Sequence, residues 1–304
     1  MSQLAIAAAI VLACAACPGY HAGPLPGAPA DARFVDVDGV HVHVRDVGAG
    51  PAVVLVHGFG ASMDLWRGVQ DALAVDHRVI ALDLKGFGWT SRPEGDYAPP
   101  AQATLVWHLL DQLGIDDVAI VGHSWGASVS LAMALAQPQR VRRIALYSAY
   151  VYEAQVPAFF RWARVDGVGE ALFALYYRER AEDRAPLAYH DERFVTQTRV
   201  EHIEDELNRP GAVAAALATV RGQRYADVER RYATITAPTL LLWGDDDRVT
   251  PLRFGRRLAR EMPHADLQVF ADCGHIPMIE AANQTTRVLA AFLAADRVAA
   301  EGSP

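Results

Sequence analysis

Five short apolar runs, none of them alternating, constrain this chain most: "AVVLVHG" (52–58), "RVIALDL" (78–84), "DVAIVGH" (117–123), "RRIALYSA" (142–149) and "PTLLLWG" (238–244). A strand with one wet face alternates apolar and polar residues, whereas a strand covered on both faces reads as a continuous apolar run. The runs therefore predict parallel strands buried between helices. Amphipathic helical segments at 63–75, 101–113, 125–137 and 251–262 lie between most of them, and "ADLQVFADCGH" adds a strand before a final helix from about 280 to 295. Such alternation implies an open sheet with helices on both sides. Ahead of it, "RFVDVDGVHVHVRDVG" alternates with period two around Asp38-Gly39, the signal for a tight hairpin. His41 and His43 point the same way from its second strand; with no third ligand in view they read as a solvated strand face rather than a metal pair.

Residues 150–235 break the rhythm. They hold "PAFFRWARVDGVGEALFALYY", "ERFVTQTRVEHIEDELN" and "GAVAAALATVRGQRY", helical blocks that predict an insertion laid over one end of the sheet. The organisation is therefore a core of 31–149 and 236–299, a helical cap of 150–235, and a separate segment of 1–30. In that segment, "LAIAAAIVLACAAC" has the length of a signal-peptide apolar region and is too short to span a bilayer, although no Lys or Arg precedes it. "VLAC" resembles the lipobox of bacterial lipoproteins, which makes Cys14 a lipidation candidate and Cys17 a poorer one. The expectation is an exported protein, periplasmic or attached to a membrane through an N-terminal lipid anchor, and a cytoplasmic one if the segment is not a signal. "PGYHAGPLPGAPADA" reads as a tether. Of three cysteines only Cys273 lies in the body, so no disulfide framework is implied.

Lys and Arg number 28 against 36 Asp and Glu, a net charge of −8, and the two signs are intermixed. No basic run is available to neutralise phosphates, which argues against a nucleic-acid partner. No Walker loop or zinc-type cysteine spacing is present, and no cofactor or metal is called for. The expected partner is a small-molecule substrate; nothing in the sequence sets an oligomeric state.

In "AIVGHSWGASVSLAMALA" (119–136) a strand must turn abruptly into a helix with Ser124 at the corner. Such a turn forces the corner residue into a strained conformation and brings helix and strand so close that residues two positions away must be nearly without side chains. Gly122 and Gly126 occupy those positions. The Ser124 hydroxyl is thereby extruded at the carboxyl end of the sheet, where open α/β folds bind ligands, beside a helix N-terminus that favours developing negative charge.

With these features the chain resembles the α/β-hydrolase family over nearly all of residues 33–297, through "HGFG" (57–60), "DLKGFGWTS" (83–91), "GHSWG" (122–126), "WGDDDRVTP" (243–251) and "DCGHIPMIE" (272–280). The resemblance implies a nucleophile, an acid and a base in the chain order Ser, Asp, His. A serine hydroxyl needs an imidazole to take its proton and a carboxylate to orient that imidazole. His275, past the last strand, fits as the base. Asp247 matches G-x-x-D-x-x-x-P counted from Gly244 to Pro251; Asp245 and Asp246 compete for the role but suit turn formation. By resemblance, the backbone N–H groups of Phe59 and Trp125 form the oxyanion hole. His57 and Gly58 support the first loop, as Gly122 and Gly126 support the elbow; Gly86 and Gly88 let the loop after 78–84 turn tightly. By the same resemblance, His57 and His123, which lie in family motifs, are expected to serve packing and loop geometry rather than proton transfer.

Ser124 argues against the dehalogenases and epoxide hydrolases of the family, which place a carboxylate there. Serine members that cleave carbon–carbon bonds typically carry a Trp soon after the histidine and an Arg for a substrate carboxylate, whereas here "IPMIE" follows. Proline iminopeptidases have a similar elbow and acidic cap residues; Glu201, Glu204, Asp205 and Glu206 are read instead as a solvated helix face. The expected activity is hydrolysis of a carboxylic ester. Phe159, Phe160, Trp162, Phe173, Tyr176 and Tyr177 of the cap suggest an apolar acyl or alcohol group. A C–C bond hydrolase, an aminopeptidase, or a receptor-like relative with little turnover are the alternatives.

Overall fold

In a computed structural model of the chain, residues 19–177 and 185–301 are described, with side chains through 294. Cys14 and Cys17 lie outside them. The strands are β1 (Arg33–Val37), β2 (Val40–Val47), β3 (Ala52–Val56), β4 (Arg78–Leu82), β5 (Val118–His123), β6 (Val141–Tyr147), β7 (Thr239–Gly244) and β8 (Ala265–Phe270). They form one sheet in the order β1-β2-β4-β3-β5-β6-β7-β8. β2 runs antiparallel to both neighbours; the pairings from β4 through β8 are parallel. Asp38 and Gly39 join β1 to β2 with φ of 51° and 78°, the left-handed pair that a two-residue hairpin requires.

The absence of alternation in the central runs has a direct cause. In β3, Val54 and Val56 enter the core on one side of the sheet while Val53 and Leu55 enter the core on the other. All four are fully buried. The connecting helices are α1 (Arg67–Leu73), α2 (Pro99–Gln112), α3 (Trp125–Ala136), α8 (Arg253–Glu261), a single turn α9 (Pro277–Glu280) and α10 (Ala282–Glu301). The cap lies between β6 and β7 and, among the described residues, comprises α4 (Ala158–Ala163), α5 (Val168–Tyr176), α6 (Gln197–Asn208), α7 (Ala212–Gly222) and short 3₁₀ turns.

The order of strands reverses at β3, which has β4 on one side and β5 on the other. A crevice opens where neighbouring connections leave in opposite directions, so the loops after β3 and β5 are where this topology places a ligand.

Two expectations about the N-terminal half need correction. Residues read as a tether are pinned to the body from His21 onward: His21 and Arg92 exchange backbone hydrogen bonds of 2.8 and 2.7 Å, and Leu25 is buried. His43 is not on a solvated face. It is buried, with Nδ1 2.7 Å from Asp83, whereas His41 meets the exposed Asp36. Asp83 also accepts from the N–H groups of Met63 and Trp89, so one buried carboxylate joins β2 to the loops after β3 and β4.

Candidate active site

Ser124 sits between β5 and α3 with φ 51° and ψ −122°, a conformation rare for a residue with a side chain. Its backbone is held by three bonds of 3.0 Å: its N–H donates to the Tyr147 carbonyl, and its carbonyl accepts from Ala127 and Tyr150. The glycines behave as expected of an elbow. A Cβ at Gly122 would stand 2.3 Å from Ser130 Oγ, and one at Gly126 2.3 Å from the His57 carbonyl oxygen. Backbone atoms cannot swing aside, so Gly126→Ala is expected to lower stability by about 3 kcal/mol or to prevent folding. Gly68→Ala in α1, where a Cβ meets nothing within 4 Å, is expected to raise it by about 0.5 kcal/mol. Urea midpoints compare the two; similar values would mean that the elbow relaxes.

The loop after β3 closes over the elbow. A Cβ at Gly58 would lie 2.9 Å from Ser124 Cβ, and Gly60 turns the chain with φ 66°. His57 is fully buried; its Nδ1–H donates to the Gly58 carbonyl at 2.8 Å and its Nε2 accepts from Leu84 N–H at 2.9 Å. Both ring nitrogens are thus used, and burial holds its pKa below the usual value. Among the described residues, neither Phe59 nor Trp125 donates its N–H to a loop carbonyl. Both residues line the same cavity as Ser124, which leaves two donors available for a developing oxyanion.

His275 and Asp247 come from the loops after β8 and β7. His275 Nδ1 is 3.0 and 3.1 Å from the two Asp247 oxygens, and both side chains are nearly sealed from solvent. Burial alone would raise the Asp247 pKa, but the His275 charge and the donors of Thr250 outweigh it and hold the carboxyl below its ordinary value. With Nδ1–H committed to Asp247, Nε2 is the nitrogen of His275 left to act in the cavity it shares with Ser124. Asp246 instead pairs with His190 and Arg248 at the surface.

His123 cannot serve as the base. Its Nε2–H donates to the His275 carbonyl at 3.0 Å, and burial pulls its pKa down to about 3. It steadies the loop that carries His275. Cys273, the buried free cysteine, has its thiol pushed up to about 12 by burial and is no competing nucleophile.

Two supporting residues escaped the reading of the sequence although they lie inside quoted motifs. Thr250 Oγ1 is 2.7 Å from Asp247 Oδ2, 3.0 Å from the Ser148 carbonyl and 3.2 Å from His275 Nδ1. Glu280 accepts from Gly274 N–H with one oxygen and from His190 and Asp191 N–H with the other. It thereby clips the His275 loop to the cap, and the His275 N–H adds a 2.8 Å bond to Ala188. Their positions in "DDDRVTP" and "HIPMIE" were the available signal.

The cavity has a volume of about 670 Å³ and is roofed by the cap. Of the six cap aromatics expected to line it, only Phe160 does. Phe159, Phe173 and Tyr177 pack within the cap, and Trp162 and Tyr176 are exposed. The solvated-face reading of α6 fails at Glu206, which is buried, lines the cavity, and lies 3.3 Å from His202 and 3.6 Å from Arg209.

A strained serine at the switch point of a mostly parallel sheet, under a helical cap and with a His–Asp pair in adjacent loops, is the layout of the α/β hydrolases. The profile of the alpha/beta hydrolase fold matches residues 51–282, and the chain belongs to that family. A 2-hydroxy-6-oxo-2,4-heptadienoate hydrolase from Pseudomonas putida is 34% identical over 276 residues, covering 87% of this chain and 96% of that enzyme. A solved meta-cleavage product hydrolase from Pseudomonas fluorescens superposes with a TM-score of 0.75 at 27% identity, over 86% of this chain and 97% of its own. A thermophilic esterase from Thermogutta terrifontis gives 0.72 at 26%, over 87% and 98%.

Proposed function

We propose that this α/β hydrolase cleaves carboxylic esters of small, largely apolar substrates through an acyl-enzyme on Ser124. Ser124 Oγ attacks the ester carbonyl carbon as its proton passes to His275 Nε2, and the oxyanion takes hydrogen bonds from Phe59 and Trp125 N–H. Each such donor is worth roughly 3 kcal/mol in the transition state. The tetrahedral intermediate collapses, the C–O bond breaks, and the departing alkoxide takes the proton from His275. Water, deprotonated by the same imidazole, attacks the acyl carbonyl and releases the acid and Ser124.

One observation carries the preference for a neutral ester: among the described residues, the cations that reach the cavity already have partners. Arg67 pairs with Asp64 at 2.7 Å, Arg199 donates to the Phe194 carbonyl at 2.5 Å and covers the Phe194 ring, and His202 faces Glu206. The wall near the histidine is apolar, with Ile276 directly after it, then Ile279 and Val249. A dienoate would bring a carboxylate into this apolar space beside buried Glu206, at a desolvation cost. A second reading, hydrolysis of a carbon–carbon bond in a vinylogous diketone acid, is favoured by the 34% identity to the Pseudomonas putida enzyme.

A kcat/KM series of p-nitrophenyl esters and vinylogous diketone acids separates the readings. The expected outcome is a preference for the best ester of about 100-fold or more. A preference for the diketone acid would replace the ester reading with the second one.

A further inference from the structure

Helix α5 is apolar on both faces. Gly169 and Phe173 turn inward, Phe173 against Val213, Leu217 and Val220 of the cap, while Val168 and Leu175 are 45% and 60% exposed. Just before it, Trp162 and Val165 are 61% and 55% exposed. Positions 162, 165, 168 and 175 lie three or seven residues apart. Bonds from Val165 N–H to the Trp162 carbonyl and from Gly169 N–H to the Val165 carbonyl carry the series through the α4–α5 turn. An exposed apolar ridge on a globular protein marks a contact surface.

The start of the described chain indicates what covers it. Tyr20 stacks on Tyr97 with ring centroids 6.1 Å apart and lines a cleft together with Arg221 of α7. His21 lies against Gly211 at the start of α7. The chain therefore emerges beside the cap, and directly before that point comes the apolar run of residues 4–17. Cys14 is six residues from Tyr20, a reach of at most about 21 Å. A bilayer that holds this run, by its own apolarity or by an acyl chain on Cys14, is brought next to the ridge. Aliphatic side chains led by a tryptophan suit the boundary between headgroups and acyl chains.

We infer that the outer face of the α4–α5 hairpin, through Trp162, Val165, Val168 and Leu175, docks on a lipid bilayer. Phe160, two residues from Trp162 and so on the opposite side of α4, lines the catalytic cavity, which places the docking face on the outer surface of the cap.

The tryptophans make the test specific. Trp66, Trp107, Trp125 and Trp243 are at most 1% exposed, and Trp89 is half-buried under the Arg209 guanidinium, leaving Trp162 as the well-exposed one. The full chain is mixed with phosphatidylcholine–phosphatidylglycerol vesicles, with or without brominated acyl chains, and flotation is measured in the same samples. The expected result is flotation with bromine quenching of tryptophan emission. Most of the quenching should be lost in Trp162→Phe, and part of it in Leu175→Ser, with turnover of a soluble ester unchanged in both variants. Flotation without quenching, quenching that survives Trp162→Phe, or failure to float would overturn the proposal. None of these vesicle readouts depends on turnover, so the inference can fail without the ester reading failing, and the reverse.

Discussion

Replacing Ser124 by alanine is expected to lower ester turnover by about 10⁵-fold or more while leaving the urea midpoint within about 1 kcal/mol of wild type. The two halves have separate physical grounds. Turnover depends on the hydroxyl as the atom that bonds to the acyl carbon, and neighbouring water is no substitute because it is not held against the carbonyl. Stability depends on the backbone at 124, whose bonds to Tyr147, Ala127 and Tyr150 an alanine keeps. Alanine also has the same difficulty as serine with φ 51°, so the strain of the elbow is retained. A large stability loss would mean that the hydroxyl is structural, and retained turnover would remove the nucleophile from the account.

Asp247→Asn is expected to cost about 10⁴-fold in kcat with a much smaller effect on KM. The carboxylate accepts from Val249 N–H, from Thr250 N–H and from the Thr250 hydroxyl while it faces His275 Nδ1. An asparagine can keep the backbone bonds with its carbonyl oxygen. Its NH₂ must then face either the Thr250 hydroxyl or Nδ1, and a donor at Nδ1 selects the imidazole tautomer protonated at Nε2. That tautomer cannot accept the serine proton. An intact acyl-enzyme burst in this variant would show that Asp247 is not what orients His275.

The sheet and the elbow were legible in the sequence because their causes are local. Unalternated runs such as 52–56 follow from burial on both faces, and glycines at 122 and 126 follow from the close approach of α3 to β3 and β5. Asp247 and His275 were found from motif spacing and chain order, and the structure brings them within hydrogen-bond reach of each other. What escaped depended on contacts between distant segments. His43 meets Asp83 forty residues away, and Glu280 meets Asp191 eighty-nine residues away, with no periodicity to announce either pairing. In the cap, the composition of α4 does not say which apolar side chain turns inward: the sequence suggests Trp162 for the pocket, and the structure puts Phe160 there and leaves Trp162 outside. Glu206 shares a helix with three other acids, and only the packing of α6 singles it out for burial.

Labelling with a fluorophosphonate, followed by peptide mass mapping, tests most directly whether the alcohol at the elbow is an activated nucleophile. The account predicts one phosphonyl adduct per chain, on the peptide containing Ser124, absent from Ser124→Ala and formed far more slowly in Asp247→Asn. An adduct on a different residue, or a Ser124 that stays unmodified under excess reagent, would contradict it.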